Sequence, residues 1–196
     1  MAKIRYKKYR IFAVLVLAIT FYFLFRSRKL KYHFEFDVAQ ANPASVWEYV
    51  ADFSNMKYLN PTILDFTIES ESGNYDHWEY SAHYTEFLSQ IPMVKNTARA
   101  NFVVRPEGDE FVIISHHLTC FLSASFACVT SDSEYRFRAI TAGSVAVGTR
   151  CLEKINYECP TALRWFCTRE LEHQRQAIRE NLRKHFANKK TINANV

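Results

Sequence analysis

The sequence predicts an α+β fold, with a curved antiparallel sheet of about seven strands around one long C-terminal helix and one N-terminal transmembrane helix. Three observations predict it. Residues 11–25 form an apolar run without a charge, Gly or Pro. Apolar and polar residues alternate at strand period through most of residues 32–159. Apolar residues then recur at helical spacing over 163–186. An antiparallel sheet with one covered face carries its helices on that face.

The N-terminal run is predicted to be a membrane anchor with basic flanks, spanning residues 1–31. These residues hold nine Lys and Arg and no acid. As a helix, the 15 apolar residues rise about 22 Å, less than the ~30 Å hydrocarbon core. Part of this difference in length can be made up by flanking residues, namely Tyr6, Tyr9 and the snorkelling side chains of Arg10 and Arg26. A cleaved signal peptide and a surface-lying or buried helix remain alternatives. The short run favours a single-pass protein of a thin membrane, such as the endoplasmic reticulum or another endomembrane.

The side of the membrane stays open. Five basic residues and the amino terminus precede the run and four basic residues follow it, which favours a lumenal body. No usable glycosylation sequon follows the run, because Pro61 blocks the one at Asn60. The five Cys form no obvious framework, which favours a reducing compartment. The sequence therefore predicts that the Cys are apolar free thiols. It contains no Cys-x-x-Cys unit, so it does not predict a metal site.

The first half of the body alternates between one helical segment and several strands. Phe34 and Phe36 share a face with Tyr32, opposite charged neighbours. Asn42 is a candidate N-cap with Pro43 at the first helical position, and that helix ends before Asn60-Pro61. Three further strands follow, whose inward faces are Leu64/Phe66/Ile68, Trp78/Tyr80/Ala82/Tyr84 and Ala98/Ala100/Phe102/Val104. Glu86, at the end of the second of these faces, is interpreted as a rim residue.

The second half is predicted to complete the sheet and then cover it. A hairpin at residues 106–109 leads into an apolar stretch, 111–127, of one or two strands. Strands around Tyr135/Phe137 and over 149–159 follow. The helix over 163–186 carries a basic face that is either solvated or in contact with anionic headgroups: Arg164, Arg169, Arg175, Arg179, Arg183 and Lys184. The domain is predicted to span 32–187, with a flexible tail over 188–196.

The segment 42–53, Asn-Pro-Ala-Ser-Val-Trp-Glu-Tyr-Val-Ala-Asp-Phe, follows a strand and leads to Asn60-Pro61. This pattern resembles the START-like superfamily, which includes polyketide cyclase-like and coenzyme Q-binding proteins. The resemblance covers roughly 32–186, including Val-Gly-Thr-Arg at 147–150. It implies a helix-grip fold with a hydrophobic tunnel that binds or carries lipids or other apolar molecules. Its matching residues are packing positions, so it implies no catalytic residue, and fold alone does not decide function.

A curved sheet that grips one helix leaves a space, and the inward faces predict what lines it. The candidate ligand-binding residues are Trp78, Tyr80, Tyr84, Phe102, Tyr135, Phe137, Tyr157 and Glu153. By parity Glu153 points inward, where it would orient a ligand or act as an acid or base. Alternatively, a bulge near Gly148 turns it towards water, or it forms a buried pair. His116 and His117 are adjacent on a strand and therefore point to opposite faces.

The function predicted is membrane-tethered binding or transfer of a lipid or other hydrophobic ligand, without catalysis, metal or cofactor. The alternatives are an enzyme on an apolar substrate, cyclase-like or hydrolase-like, with Glu153, His116 or His117 as candidate groups, and a scaffolding domain with a filled core. Residues 32–159 have a net charge of −9, from 8 basic and 17 acidic residues, which argues against a nucleic-acid partner. The sequence leaves ligand identity and oligomeric state open.

Overall fold

The computed structural model describes residues 2–121, 128–143 and 145–194, and the side chains of 9–121, 128–143 and 145–189. Its helices are α1 (Ala2–Phe25), α2 (Pro43–Ala51), α3 (Phe53–Leu59) and α4 (Arg164–Ala194), with a 3₁₀ turn at Thr161–Leu163. Its strands are β1 (Ser27–Ala39), β2 (Ile63–Asn74), β3 (His77–Leu88), β4 (Ile91–Glu107), β5 (Glu110–Phe121), β6 (Cys128–Ala142) and β7 (Val145–Pro160).

The seven strands form one antiparallel sheet in the order β1-β7-β6-β5-β4-β3-β2. The predicted α+β fold, a seven-stranded curved sheet with a long C-terminal helix, is confirmed. β1 starts at Ser27 rather than at Tyr32, because Arg28, Lys29 and Lys31 pair with the end of β7. The part of the predicted stretch 111–127 that follows Phe121 lies outside the described residues.

The predicted helix after Asn42 is divided into two. Asn42 caps α2, its side chain accepting a hydrogen bond from the backbone N of Ala44 at 2.8 Å. Asp52 has extended backbone angles, and its side chain caps α3 by accepting from Ser54 N at 2.9 Å. The chain therefore bends at Asp52, and α2 and α3 both lie on the covered face of the sheet. Buried Trp47 anchors α2, because its Nε1 donates to the Val112 carbonyl at 3.2 Å.

α4 lies across the sheet with Ile178 and Leu182 buried against it. The prediction of a single outward basic face is wrong for two of its members. Arg175 points into the domain and Arg179 lies over the Phe34 ring, whereas Arg183 is exposed and donates to the Asp37 carbonyl at 2.8 Å. These three are spaced four apart, so they form one row that faces β1 and β7. α4 continues to Ala194, past residue 188, where the sequence predicts the tail to begin.

The apolar residues of α1 have no cover in this structure, and its large side chains from Tyr9 to Phe25 are 44–70% exposed. In the described part of the chain, no helix combines the length and apolarity that crossing a membrane requires.

The prediction of free thiols is wrong for four of the five Cys. Cys120 is bonded to Cys128, and Cys159 is bonded to Cys167. Cys120 and Cys128 are direct partners across β5 and β6, and the second bond joins the end of β7 to α4. Cys151 is free and buried. The prediction failed because strand register and helix placement, which sequence spacing does not give, bring these sulfurs together.

Candidate functional site

A cavity of about 570 Å³ lies between the concave face of the sheet and α4. Strands β3 to β7 form one wall, and the first half of α4 forms the other. α2 and α3 close one end with Val50, Phe53 and Met56. Most of the lining is apolar or aromatic, and a few carboxylate, amide and guanidinium groups project into it. Its volume lies within the range of small-molecule and cofactor sites, about 300–1,000 Å³.

Five of the eight predicted ligand-binding residues line this cavity: Tyr84, Phe102, Tyr135, Tyr157 and Glu153. The other three lie on the predicted face of the sheet but outside the cavity. The Tyr80 ring stacks on the Phe102 ring, with their centroids 4.5 Å apart, and the Tyr80 hydroxyl donates to the Ala51 carbonyl. Phe137 is fully buried in the core, and Trp78 donates to Glu71. Strand parity identified the face correctly, but it could not show that α2 and α3 cover one end of it.

Glu153 is buried, 5% exposed, and lines the cavity. The alternative in which a bulge turns it towards water is therefore wrong. A bulge does occur, between Ile140 and Thr141 of β6, but it lies beyond Gly148 and leaves the register at Glu153 intact. Ser133 Oγ donates to Glu153 Oε1 at 2.7 Å, and Arg175 Nε lies 2.7 Å from Oε2. Glu153 thus forms a buried ion pair in the cavity wall.

The two adjacent histidines point to opposite faces of β5. His116 is on the outer face, where its Nδ1 lies 2.6 Å from Asp132 Oδ1. His117 lines the cavity between Tyr84 and Ser115, with contacts of 3.0 Å from Nδ1 to the Tyr84 hydroxyl and 2.9 Å from Nε2 to Ser115 Oγ. Burial, reinforced by the charge of Arg175, lowers the pKa of His117 to about 3. The imidazole is therefore neutral at physiological pH.

A second acidic group in the cavity was not identified from the sequence. Glu86 is buried, 8% exposed, rather than at the rim. Burial and the nearby Glu170 carboxylate raise the pKa of Glu86 to about 7. Glu170 is also buried, and it accepts hydrogen bonds from the backbone N and the hydroxyl of Ser89. Asn96 lines the cavity beside these carboxylates and is buried. The sequence could have identified it, because Asn96 continues the alternation that places Ala98 and Ala100 on the inward face of the strand.

Among the candidate acid and base groups, His117 lies beside a hydroxyl, with its Nε2 2.9 Å from Ser115 Oγ, but its pKa of about 3 makes the imidazole a weak general base. Both carboxylate oxygens of Glu153 are engaged by Ser133 and Arg175, and His116 lies outside the cavity. Within residues 2–121, 128–143 and 145–194, no three His, Cys, Asp or Glu side chains are grouped so as to hold a metal ion. The arrangement suits the enclosure of an apolar molecule with a polar group at a fixed place.

The cavity opens at the end of the sheet opposite α2. Two of its lining residues are exposed, Ile91 by 43% and Leu163 by 44%, and these residues mark its mouth. Met93 and Trp165 follow Ile91 and Leu163 by two residues each, and their side chains are 92% and 67% exposed. The end of α1 lies at this side of the domain, since the Arg26 carbonyl accepts hydrogen bonds from the N and Oγ1 of Thr161.

No protein-family model matches the chain, and no curated protein matches it. Solved structures do. A hypothetical protein from Helicobacter pylori is 7% identical, with a TM-score of 0.56 and 81% of this chain and 87% of that chain covered. A putative uncharacterized protein from Rhizobium leguminosarum is 10% identical, with a TM-score of 0.51 and coverage of 81% and 94%.

A third structure, the di-domain ARO/CYC protein of the steffimycin biosynthetic pathway, is 14% identical with a TM-score of 0.55. The match covers 83% of this chain and 52% of that one, so this chain corresponds to about half of its length. At these identities the likeness shows the fold alone. The chain shares a helix-grip fold with these structures, a curved antiparallel sheet around a long C-terminal helix.

Proposed function

We propose that this protein binds and transfers a lipid or another elongated apolar molecule while its N-terminal segment holds it at a membrane. The observation that carries the proposal is the cavity of about 570 Å³ between the sheet and α4. A filled core would leave no such space, because protein interiors are close-packed. Enclosure of an apolar molecule there contributes about 25 cal/mol per Å² of surface removed from water.

The apolar residues of α1 support the membrane part of the proposal. A contiguous exposed apolar surface of this kind indicates a membrane or protein partner. Basic residues lie on both sides of it, and a basic residue near an anionic bilayer contributes about 1 kcal/mol. The end of α1 is hydrogen-bonded through Arg26 to Thr161, beside the mouth at Leu163. A bilayer that holds α1 would therefore face the opening of the cavity, and the short apolar run favours a thin membrane such as that of the endoplasmic reticulum.

A cavity-filling substitution tests ligand binding. Ser131 lines the cavity on β6, so Ser131→Phe should place a ring in the ligand's space. We expect the full-length wild type, purified in detergent, to retain an apolar ligand in native mass spectrometry. We expect Ser131→Phe to reduce the ligand-bound fraction about tenfold, because a ligand cannot displace a packed ring without strain of about 1–3 kcal/mol.

Ser72→Phe is the matched control, because Ser72 is exposed on edge strand β2 and outside the cavity. It should retain as much ligand as the wild type. Wild-type protein that carries no ligand and takes none up from liposomes would overturn the proposal and favour the scaffolding alternative.

Vesicle flotation tests the membrane contact. Leu15→Lys/Ile19→Lys places two charges on the apolar surface of α1, where both side chains are 55% exposed. Each lysine costs about 2.5–3.5 kcal/mol at hydrocarbon depth, so we expect the double variant to leave the floating fraction of phosphatidylcholine/phosphatidylserine vesicles. Ser70→Lys/Ser72→Lys on exposed β2 adds the same charge and should float as the wild type does. Equal flotation of all three proteins would show that α1 does not hold the domain at the membrane.

A further inference from the structure

Glu86 and Asn96 form an acceptor pair in the cavity wall. They are direct partners across β3 and β4, and both side chains are buried, 8% and 1% exposed. Glu86 lies two residues before the end of β3, next to the turn that leads to Ile91 at the mouth. The deep end of the cavity, around Phe53 and Ile113, is apolar. A chain-like ligand can therefore place its tail in the deep end and its polar end at this pair.

The acceptors of this pair have few donors. Asn96 Oδ1 is buried and accepts no hydrogen bond from the described residues. The donor found for Glu86 is Gln174 Nε2, at 3.5 Å, which is the limit for a hydrogen bond. Glu170 and Glu153 differ from Glu86, because each receives a hydrogen bond of 2.7 Å from a serine hydroxyl. A buried acceptor without a donor is unfavourable, and a ligand that donates a hydrogen bond would relieve that penalty.

The guanidinium and glutamine donors near Glu86 already face carboxylates. The Arg175 guanidinium lies against Glu153, and Gln174 Nε2 is shared between Glu86 and Glu170. Three buried carboxyl groups, Glu86, Glu153 and Glu170, thus face one guanidinium. A ligand carboxylate at this pair would meet like charges, whereas a hydroxyl or ammonium group would meet acceptors.

We infer that the cavity selects amphiphiles whose head group donates hydrogen bonds, namely a single-chain alcohol or primary amine, and that Glu86 and Asn96 bind this head. The inference rests on the proposed function, since it concerns the same cavity, and it names the ligand class. The pKa of about 7 for Glu86 agrees with it. A bound ammonium would stabilise the ionised carboxylate, so amine binding should strengthen as the pH rises through 7, while alcohol binding depends less on pH.

The test compares three probes with the same chain length: dodecylamine, dodecanol and dodecanoate. Radiolabelled probes are added to the full-length protein in phosphatidylcholine nanodiscs, and binding to empty nanodiscs is subtracted. We expect dodecylamine and dodecanol to bind about tenfold more tightly than dodecanoate, and Ser131→Phe to weaken the binding of both about tenfold. Tenfold corresponds to about 1.4 kcal/mol, the size of one hydrogen bond to a charged group.

Glu86→Gln keeps the shape of the side chain and removes its charge. We expect it to weaken dodecylamine binding about tenfold and to remove the increase in binding above pH 7. Glu79→Gln, on the exposed face of the same strand, is the matched control and should bind like the wild type. Unchanged thermal unfolding of Glu86→Gln shows that a loss of binding is not a loss of fold.

The outcomes separate the inference from the proposed function. Dodecanoate binding as tightly as dodecylamine, or Glu86→Gln binding all three probes as the wild type does, would overturn the inference and leave the cavity as a general apolar site. Absence of protein-dependent binding of any probe, together with a ligand-free wild type in native mass spectrometry, would overturn the proposed function and the inference with it.

Discussion

Replacement of Arg175 by methionine should lower the free energy of unfolding by about 3–5 kcal/mol. The Arg175 Nε lies 2.7 Å from Glu153 Oε2, and the two side chains are 17% and 5% exposed. Methionine fills most of the space of the arginine stem but leaves the Glu153 carboxylate buried without its counter-ion. Ser133 alone cannot compensate for that charge. Urea denaturation followed by far-UV circular dichroism measures the loss.

Two further variants identify the buried charge as the cause. Arg175→Met/Glu153→Gln removes both charges and should recover most of the stability, because a buried neutral pair avoids the desolvation penalty. Arg99→Met breaks an ion pair with Glu69 in which the side chains are 63% and 34% exposed. This substitution should lower the free energy of unfolding by no more than about 1 kcal/mol. If Arg175→Met costs as little as Arg99→Met, the ion pair does not stabilise the wall of the cavity.

Local pattern in the sequence was sufficient to predict the sheet and the long helix that covers it, because a strand with one covered face must alternate and a covering helix must repeat its apolar residues. It also placed Tyr84, Phe102 and Tyr135 on the face that lines the cavity. The same argument placed Tyr80 there, where α2 in fact covers the strand and receives its hydrogen bond at Ala51. Parity gives the face of a strand but not which part of that face another element covers.

The polar contacts of the cavity depend on tertiary geometry that no local pattern contains. Glu153 and Arg175 were both noted, one as an inward acid and the other as a member of a basic face, but their pairing depends on how α4 crosses β7. The acceptor pair of Glu86 and Asn96 depends on the register across the β3–β4 hairpin. The bond between Cys159 and Cys167 likewise requires α4 to turn back over the end of β7. Each of these is a non-local contact, and sequence spacing alone leaves its partner undetermined.

The environment of His117 makes protonation costly in the folded state. The ring lies between Tyr84 and Ser115, in a cavity that also contains Arg175. Burial is the largest cause that lowers its pKa, followed by the electrostatic effects of Arg175 and His116, while Asp132 acts in the opposite direction. Glu86 also titrates in this cavity, with a raised pKa of about 7. Its contribution to stability falls as pH rises from 4.5 to about 7, opposite in sign to that of His117.

Acid should therefore unfold the protein through His117. The unfolded chain binds this proton below its ordinary pKa of 6.5, and the folded chain does not bind it until the pKa of about 3 is reached. The stability that His117 contributes is complete above pH 6.5 and is lost progressively below it, by about 5 kcal/mol near pH 3. We expect His117→Gln to lose less stability than the wild type over this range, whereas His116→Gln, on the exposed face of the same strand, should follow the wild type. Urea titrations at several pH values measure the difference between each variant and the wild type, so the common contribution of Glu86 cancels. Parallel curves for His117→Gln and the wild type would mean that the buried imidazole is not what limits stability in acid.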